Sequence, residues 1–123
     1  MSTATPADFI GPWIGETIGY DSPAHIWEIG ARASWLEIRT RWEGETGWEV
    51  MYAEVTADPA GFSIGNRRAV LIDPQHFVIA GWDTNDTRGG VGPAYDVVFS
   101  RPGIAELSAH QAYRRFLASQ GCA

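Results

Sequence analysis

Between Trp35 and Glu43, apolar and charged residues alternate. Leu36, Ile38, Thr40 and Trp42 fall on one side, and Glu37, Arg39, Arg41 and Glu43 on the other. A period of two is that of a β-strand with one buried face and one wet face. The preceding run places His25, Trp27 and Ile29 opposite Ile26, Glu28 and Gly30. Similar runs rich in Val, Ile, Trp, Tyr and Phe recur, and together they predict strands at about 11–20, 24–30, 33–43, 47–57, 60–64, 67–73, 75–83 and 93–101. The separators have tight-turn chemistry: Asp21-Ser22-Pro23, Gly44-Glu45-Thr46-Gly47, Asp58-Pro59-Ala60-Gly61, Gly65-Asn66 and Asp73-Pro74-Gln75. Val70–Ile72, Phe77–Ala80 and Tyr95–Phe99 are more continuously apolar, as strands covered on both sides are.

After Pro102-Gly103 the period changes. Ala105, Ala109, Ala112, Tyr113, Phe116 and Leu117 recur at helical spacing within 104–119, with Arg114 and Arg115 in the latter part and Gly121 as the stop. The expected architecture is therefore all-β: an antiparallel up-and-down eight-stranded barrel over 9–101, preceded by a loose terminus at 1–8. A C-terminal helix within 102–123 packs on it. A two-sheet sandwich is the competing arrangement of the same strands. The glycine-rich segment 83–93 is the expected mobile lid. Trp27-Glu28, Trp42-Glu43 and Trp48-Glu49 recur without a fixed period, so they mark no repeat.

Composition narrows the chemistry. The 123 residues make one domain, large enough to bury roughly two-thirds of its unfolded surface without a disulfide or metal staple. All nine basic residues are arginine. The missing lysine removes Schiff-base chemistry and the Lys-containing phosphate loop. A net charge of −6 argues against duplex nucleic acid and anionic membranes. No run approaches about 18 apolar residues, and Met1 to Asp8 lacks the features of a signal peptide. With Cys122 as the lone thiol, a cytoplasmic setting is expected.

Phe9-Ile10-Gly11-Pro12-Trp13 resembles the Gly-x-Trp opening motif of calycins, the superfamily of lipocalins, fatty-acid-binding proteins and nitrobindin-like barrels. The resemblance implies a Trp13 that closes one barrel end, with a basic residue of the last strand packed across it. Arg101, after Val97-Val98-Phe99-Ser100, stands where that residue belongs. It also implies a ligand cavity. No helical pair follows the first strand, unlike fatty-acid-binding proteins. Residues 93–101 hold no histidine, so the haem of nitrobindin-like barrels is not expected, nor is any other cofactor.

The six tryptophans define the functional question. They either plug a small core, or Trp27, Trp42, Tyr52, Trp82 and Tyr95 line an aromatic pocket with His25 or His76 as its polar contact. The first reading is a small-molecule binding protein for an apolar or aromatic ligand. The second is an isomerase- or cyclase-like enzyme using the same cavity, with His76, Glu37 or Asp96 moving a proton. The third is a homodimerising interaction module. His110 reads as solvent-facing on the helix. His25 and His76 would need a third ligand such as Asp73 or Asp96 to hold a metal, and no metal is expected. Arg67-Arg68 reads as an exposed turn pair. Asp83-Thr84-Asn85-Asp86-Thr87 lacks the Gly and Glu of a calcium loop, and Ser22, Ser34, Ser63 and Ser100 lie in no nucleophile elbow.

Overall fold

A computed structural model describes residues 6–19, 21, 23–33, 35–57, 60–64, 67–83, 94–104 and 107–120. The strands are β1 (Gly11–Thr17), β2 (His25–Arg32), β3 (Trp35–Trp42), β4 (Glu49–Ala57), β5 (Ala60–Ile64), β6 (Arg67–Asp73), β7 (His76–Asp83) and β8 (Ala94–Ser100). Each pairs antiparallel with its neighbour in sequence. The ring closes where β1 meets β8, with Ile14 opposite Ser100 and Thr17 opposite Val97. That pairing settles barrel against sandwich. One helix, α1 (Leu107–Ser119), follows.

Alternation decides what fills the barrel. Trp13, Trp27, Ile29, Leu36, Ile38, Ala53, Phe62, Ala69, Phe77, Ile79, Val97 and Phe99 are buried on its inner face. Phe77 is the hub, its ring centroid 4.6 Å from Trp13, 4.7 Å from Phe99, 5.2 Å from Phe62 and 6.1 Å from both Phe9 and Trp27. Burying each such ring contributes roughly 1.5–3 kcal/mol before edge-to-face terms.

The continuously apolar strands have a cover on the outside as well. Val78 and Val98, with Val70 and Ile72, pack beneath Ala109, Ala112, Tyr113, Phe116 and Leu117 of α1. The two-sided apolarity of β6 to β8 is thus the mark of a helix lying across them.

The chain enters at one end of the barrel. Pro6–Asp8 forms a 3-10 turn, and Phe9 is fully buried behind it. The Trp13 Nε1–H donates to the Phe9 carbonyl at 2.8 Å. Arg101 covers this end, its guanidinium carbon 3.8 Å from the Trp13 ring centroid. Within the expected loose terminus at 1–8, the Asp8 carbonyl accepts from Arg101 at 3.3 Å. β1 stops at Thr17, short of the expected 11–20; Ile18 still donates its N–H to the Asp96 carbonyl at 2.9 Å and packs on the α1 cluster. Of the expected lid at 83–93, Asp83 ends β7, and 84–93 lie outside the described residues, as do Gly121 and Cys122.

Candidate functional site

With Phe9, Trp13 and Arg101 at one end, the opposite end is the place to look for a site. There β1 finishes, β2 begins at His25, β3 finishes at Trp42, β6 begins at Arg67 and β8 begins beside Tyr95. His25 pairs with Trp42 across the β2–β3 ladder and with Gly15 across β1–β2. The His25 ring is 4 % exposed and its centroid is 4.4 Å from that of Trp42, which is 41 % exposed at the rim. Gly15 makes this layering possible: a Cβ there would stand 2.5 Å from Phe99 Cε2. The Phe99 ring uses that space and lies 5.8 Å from His25.

A column of rings follows. Trp42 covers His25, His25 approaches Phe99, and Phe99 stacks on Phe77 at 10°. Phe77 meets Trp13 in the plug. Trp27 is buried against this column, 4.2 Å from Phe99. It faces inward, as the alternation requires, but belongs to the packed middle. Tyr95 shares the inward register of Val97 and Phe99 and is half-buried. Thr40 lies between inward-facing Ile38 and Trp42. The Trp82 backbone pairs with Tyr95 after a bulge that follows Ile79, and its side chain lies outside the described set.

The remaining candidates face outward. Tyr52 is 52 % exposed, because Met51, Ala53 and Val55 take the inner face of β4. It does not line the barrel. Glu37 stands on the outer face within 3.7 Å of Arg32 and 3.9 Å of Arg39. With Glu28, Ile29, Gly30 and Arg39 it borders an outer depression of about 240 Å³. Asp96 faces α1, accepting from the Tyr113 hydroxyl at 2.7 Å and from the Gly81 N–H at 3.0 Å. His76 is 5 % exposed, but between the β6–β7 turn and α1 rather than inside. None of Glu37, Asp96 and His76 can therefore move a proton in the barrel interior.

His76 has a setting of its own. Its Nδ1 lies 2.9 and 3.0 Å from the two Asp73 carboxylate oxygens, and its Nε2 3.0 Å from Ser108 Oγ. Arg115 also donates to Asp73. Burial draws the Asp73 carboxyl upward, but hydrogen bonds from His76, the Gln75 N–H and Arg115 outweigh it. The group stays below the usual carboxylate range.

Two residues in these settings escape the sequence reading. Arg67 reads as a turn cation, yet it shares the inward register of Ala69 and Leu71, and counting back by two from Ala69 finds it. Ser108 carries no local motif; only the fold brings it to His76. Among the described residues, no three His, Cys, Asp or Glu side chains converge as a metal centre requires. No helix among them is long and apolar enough to cross a membrane.

The site belongs to a closed antiparallel up-and-down barrel with one helix across its outer face. No family model, curated protein or solved structure matches the chain.

Proposed function

We propose that this is a calycin-like barrel that holds one small apolar or aromatic molecule at the end bounded by Trp42, His25 and Tyr95. The observation that carries the reading is the pair His25–Trp42. A buried imidazole lies under a half-exposed indole at 4.4 Å, at the end opposite the Phe9–Trp13–Arg101 plug. An indole left 41 % exposed beside a barrel mouth retains apolar area that a flat ligand can bury. His25, Thr40 and Arg67 supply the few polar groups such a site uses for orientation. Binding acts by burial and stacking, with no bond made.

The ring column limits the size of the occupant. Phe62, Phe77 and Phe99 fill the middle of the barrel, so a ligand of one or two rings fits the reading and a long acyl chain does not. Because Glu37, Asp96 and His76 face outward, the geometry supports binding over catalysis at this end.

The test is a titration of phenol, indole, 1-naphthol and a long-chain fatty acid, followed by tryptophan fluorescence and calorimetry. Saturable binding of a ring compound, weakened about tenfold in Trp42→Ala (roughly 1.4 kcal/mol), is the expected result. No saturable binding across the panel, or binding indifferent to Trp42→Ala and His25→Ala, overturns the reading.

A further inference from the structure

Under α1, on the outside of the barrel, side chains from three places in the chain form a line. Asp73 closes β6, His76 opens β7 and Ser108 stands in the first turn of α1. Asp73 Oδ1 lies 2.9 Å from His76 Nδ1, and His76 Nε2 lies 3.0 Å from Ser108 Oγ. We propose that Ser108 is a nucleophile, with His76 as its general base and Asp73 as the group that orients the base. The substrate class is a small activated ester.

Direction follows from the donors and acceptors. Asp73, held ionised, can only accept, so the hydrogen of the neutral imidazole resides on Nδ1. Nε2 then presents its lone pair to the Ser108 hydroxyl, which donates to it. A nucleophile bonded to a base, and a base bonded to an orienting carboxylate, is the arrangement that acyl-transfer chemistry uses on unrelated folds. Asp73 is itself held on several sides. The Gln75 N–H donates to Oδ1 at 2.7 Å, and Arg115, two turns beyond Ser108 on the same helix, donates to Oδ2. His76 is buried, whereas Ser108 is partly exposed at the edge of α1. The N–H groups of the first turn of this 13-residue helix have no intrahelical acceptors, and oxyanion charge beside Ser108 would develop near them.

In the reaction, Ser108 Oγ bonds to the acyl carbon while its proton passes to His76 Nε2. The ester C–O bond then breaks, and the departing oxygen takes that proton. Water repeats the sequence on the acyl-serine, which releases the carboxylic acid and restores the hydroxyl.

A purely structural clasp between α1 and the barrel would show the same distances and no reactivity. A fluorophosphonate probe separates the two, since Ser108 Oγ would displace fluoride and keep the phosphonyl group. Incubation of the folded protein followed by peptide mapping is expected to place the adduct on Ser108 in preference to Ser119, whose hydroxyl donates to the Phe116 carbonyl at 2.7 Å. His76→Gln is expected to slow labelling by at least about 100-fold. Ser108→Ala, checked for fold by circular dichroism, is expected to abolish both the adduct and release of nitrophenol from p-nitrophenyl acetate. An unlabelled Ser108 in the wild-type chain overturns the proposal whatever the variants do. So does labelling at an unchanged rate in a folded His76→Gln.

Discussion

The Arg101 guanidinium carbon lies 3.8 Å from the centroid of the Trp13 indole, and the same group donates to three backbone carbonyls at and just before the start of β1. Ile10 accepts at 2.9 Å, Pro12 at 3.3 Å and Asp8 at 3.3 Å. One side chain at the end of β8 thus fastens the start of the barrel to its finish. The planar fork suits this work, because a single ammonium cannot reach three carbonyls and cover a ring at once. Gly11, at φ +117°, admits it: a Cβ there would stand 2.8 Å from the Arg101 Nη1.

Arg101→Met is therefore expected to destabilise the barrel by about 2 kcal/mol, combining the lost cation–π contact with carbonyls left unpaired. Arg101→Lys is expected to recover less than half of that. Urea denaturation at neutral pH gives both values, and a Lys variant as stable as the wild type would contradict the geometry.

The two faces of β4 and β7 predict opposite outcomes for two aromatic residues. Phe77 touches five other rings and is fully buried, so Phe77→Ala is expected to cost about 3–5 kcal/mol, a large share of the stability of a domain this size. Tyr52 stands outside, and Tyr52→Ala is expected to stay within about 0.5 kcal/mol and to leave ligand titrations unchanged. Thermal melts of the two variants side by side make the comparison.

That contrast also shows what the sequence could tell. Strands β2 and β3 alternate cleanly, so the inward positions of His25, Trp27, Leu36 and Ile38 are legible from period alone. In β4 the one aromatic residue, Tyr52, points outward while Met51, Ala53 and Val55 take the inner face, where rings from other strands already occupy the axis. Size misleads there, and Tyr52 is misplaced. In β7 and β8 both faces are apolar because α1 covers the outer one, and a period of two loses its contrast. Period alone therefore does not place His76 and Asp96, which stand on the outer face against α1. The contact of Trp13 with Arg101 is legible only through the resemblance of Gly11-Pro12-Trp13 to a known opening motif, not through periodicity. The approach of Ser108 to His76 spans 32 residues and is a product of helix docking alone.

Ala33 joins β2 to β3 with φ at +56°, and it is the non-glycine residue with positive φ among those described. Arg32 pairs with Trp35, so the connection is a two-residue loop, which favours left-handed residues. An alanine there costs about 1 kcal/mol relative to a residue at ease in that region. Ala33→Asn is expected to raise stability by about 0.5 kcal/mol without altering the barrel, read as an upward shift of the denaturation midpoint at constant slope.

Asp73 should register in the acid limb of stability. Its carboxyl is held below the ordinary value of 3.8, against the opposing effect of burial, by His76, the Gln75 N–H and Arg115. A group whose folded pKa is depressed contributes stability above its unfolded pKa and loses it as pH falls through the folded value. Protonation at low pH therefore removes the acceptor that His76 and Arg115 share, loosening α1 from the β6–β7 turn. The carboxylate is partly solvated, so the contribution at neutral pH is about 1 kcal/mol rather than the value of a buried pair. Asp73→Asn is expected to lose that amount at pH 7, and its difference from the wild type is expected to shrink steadily once pH falls below about 4. Paired urea titrations from pH 7 to pH 3 measure it. A difference that stays constant across the range would mean that the Asp73 charge does not hold α1 in place.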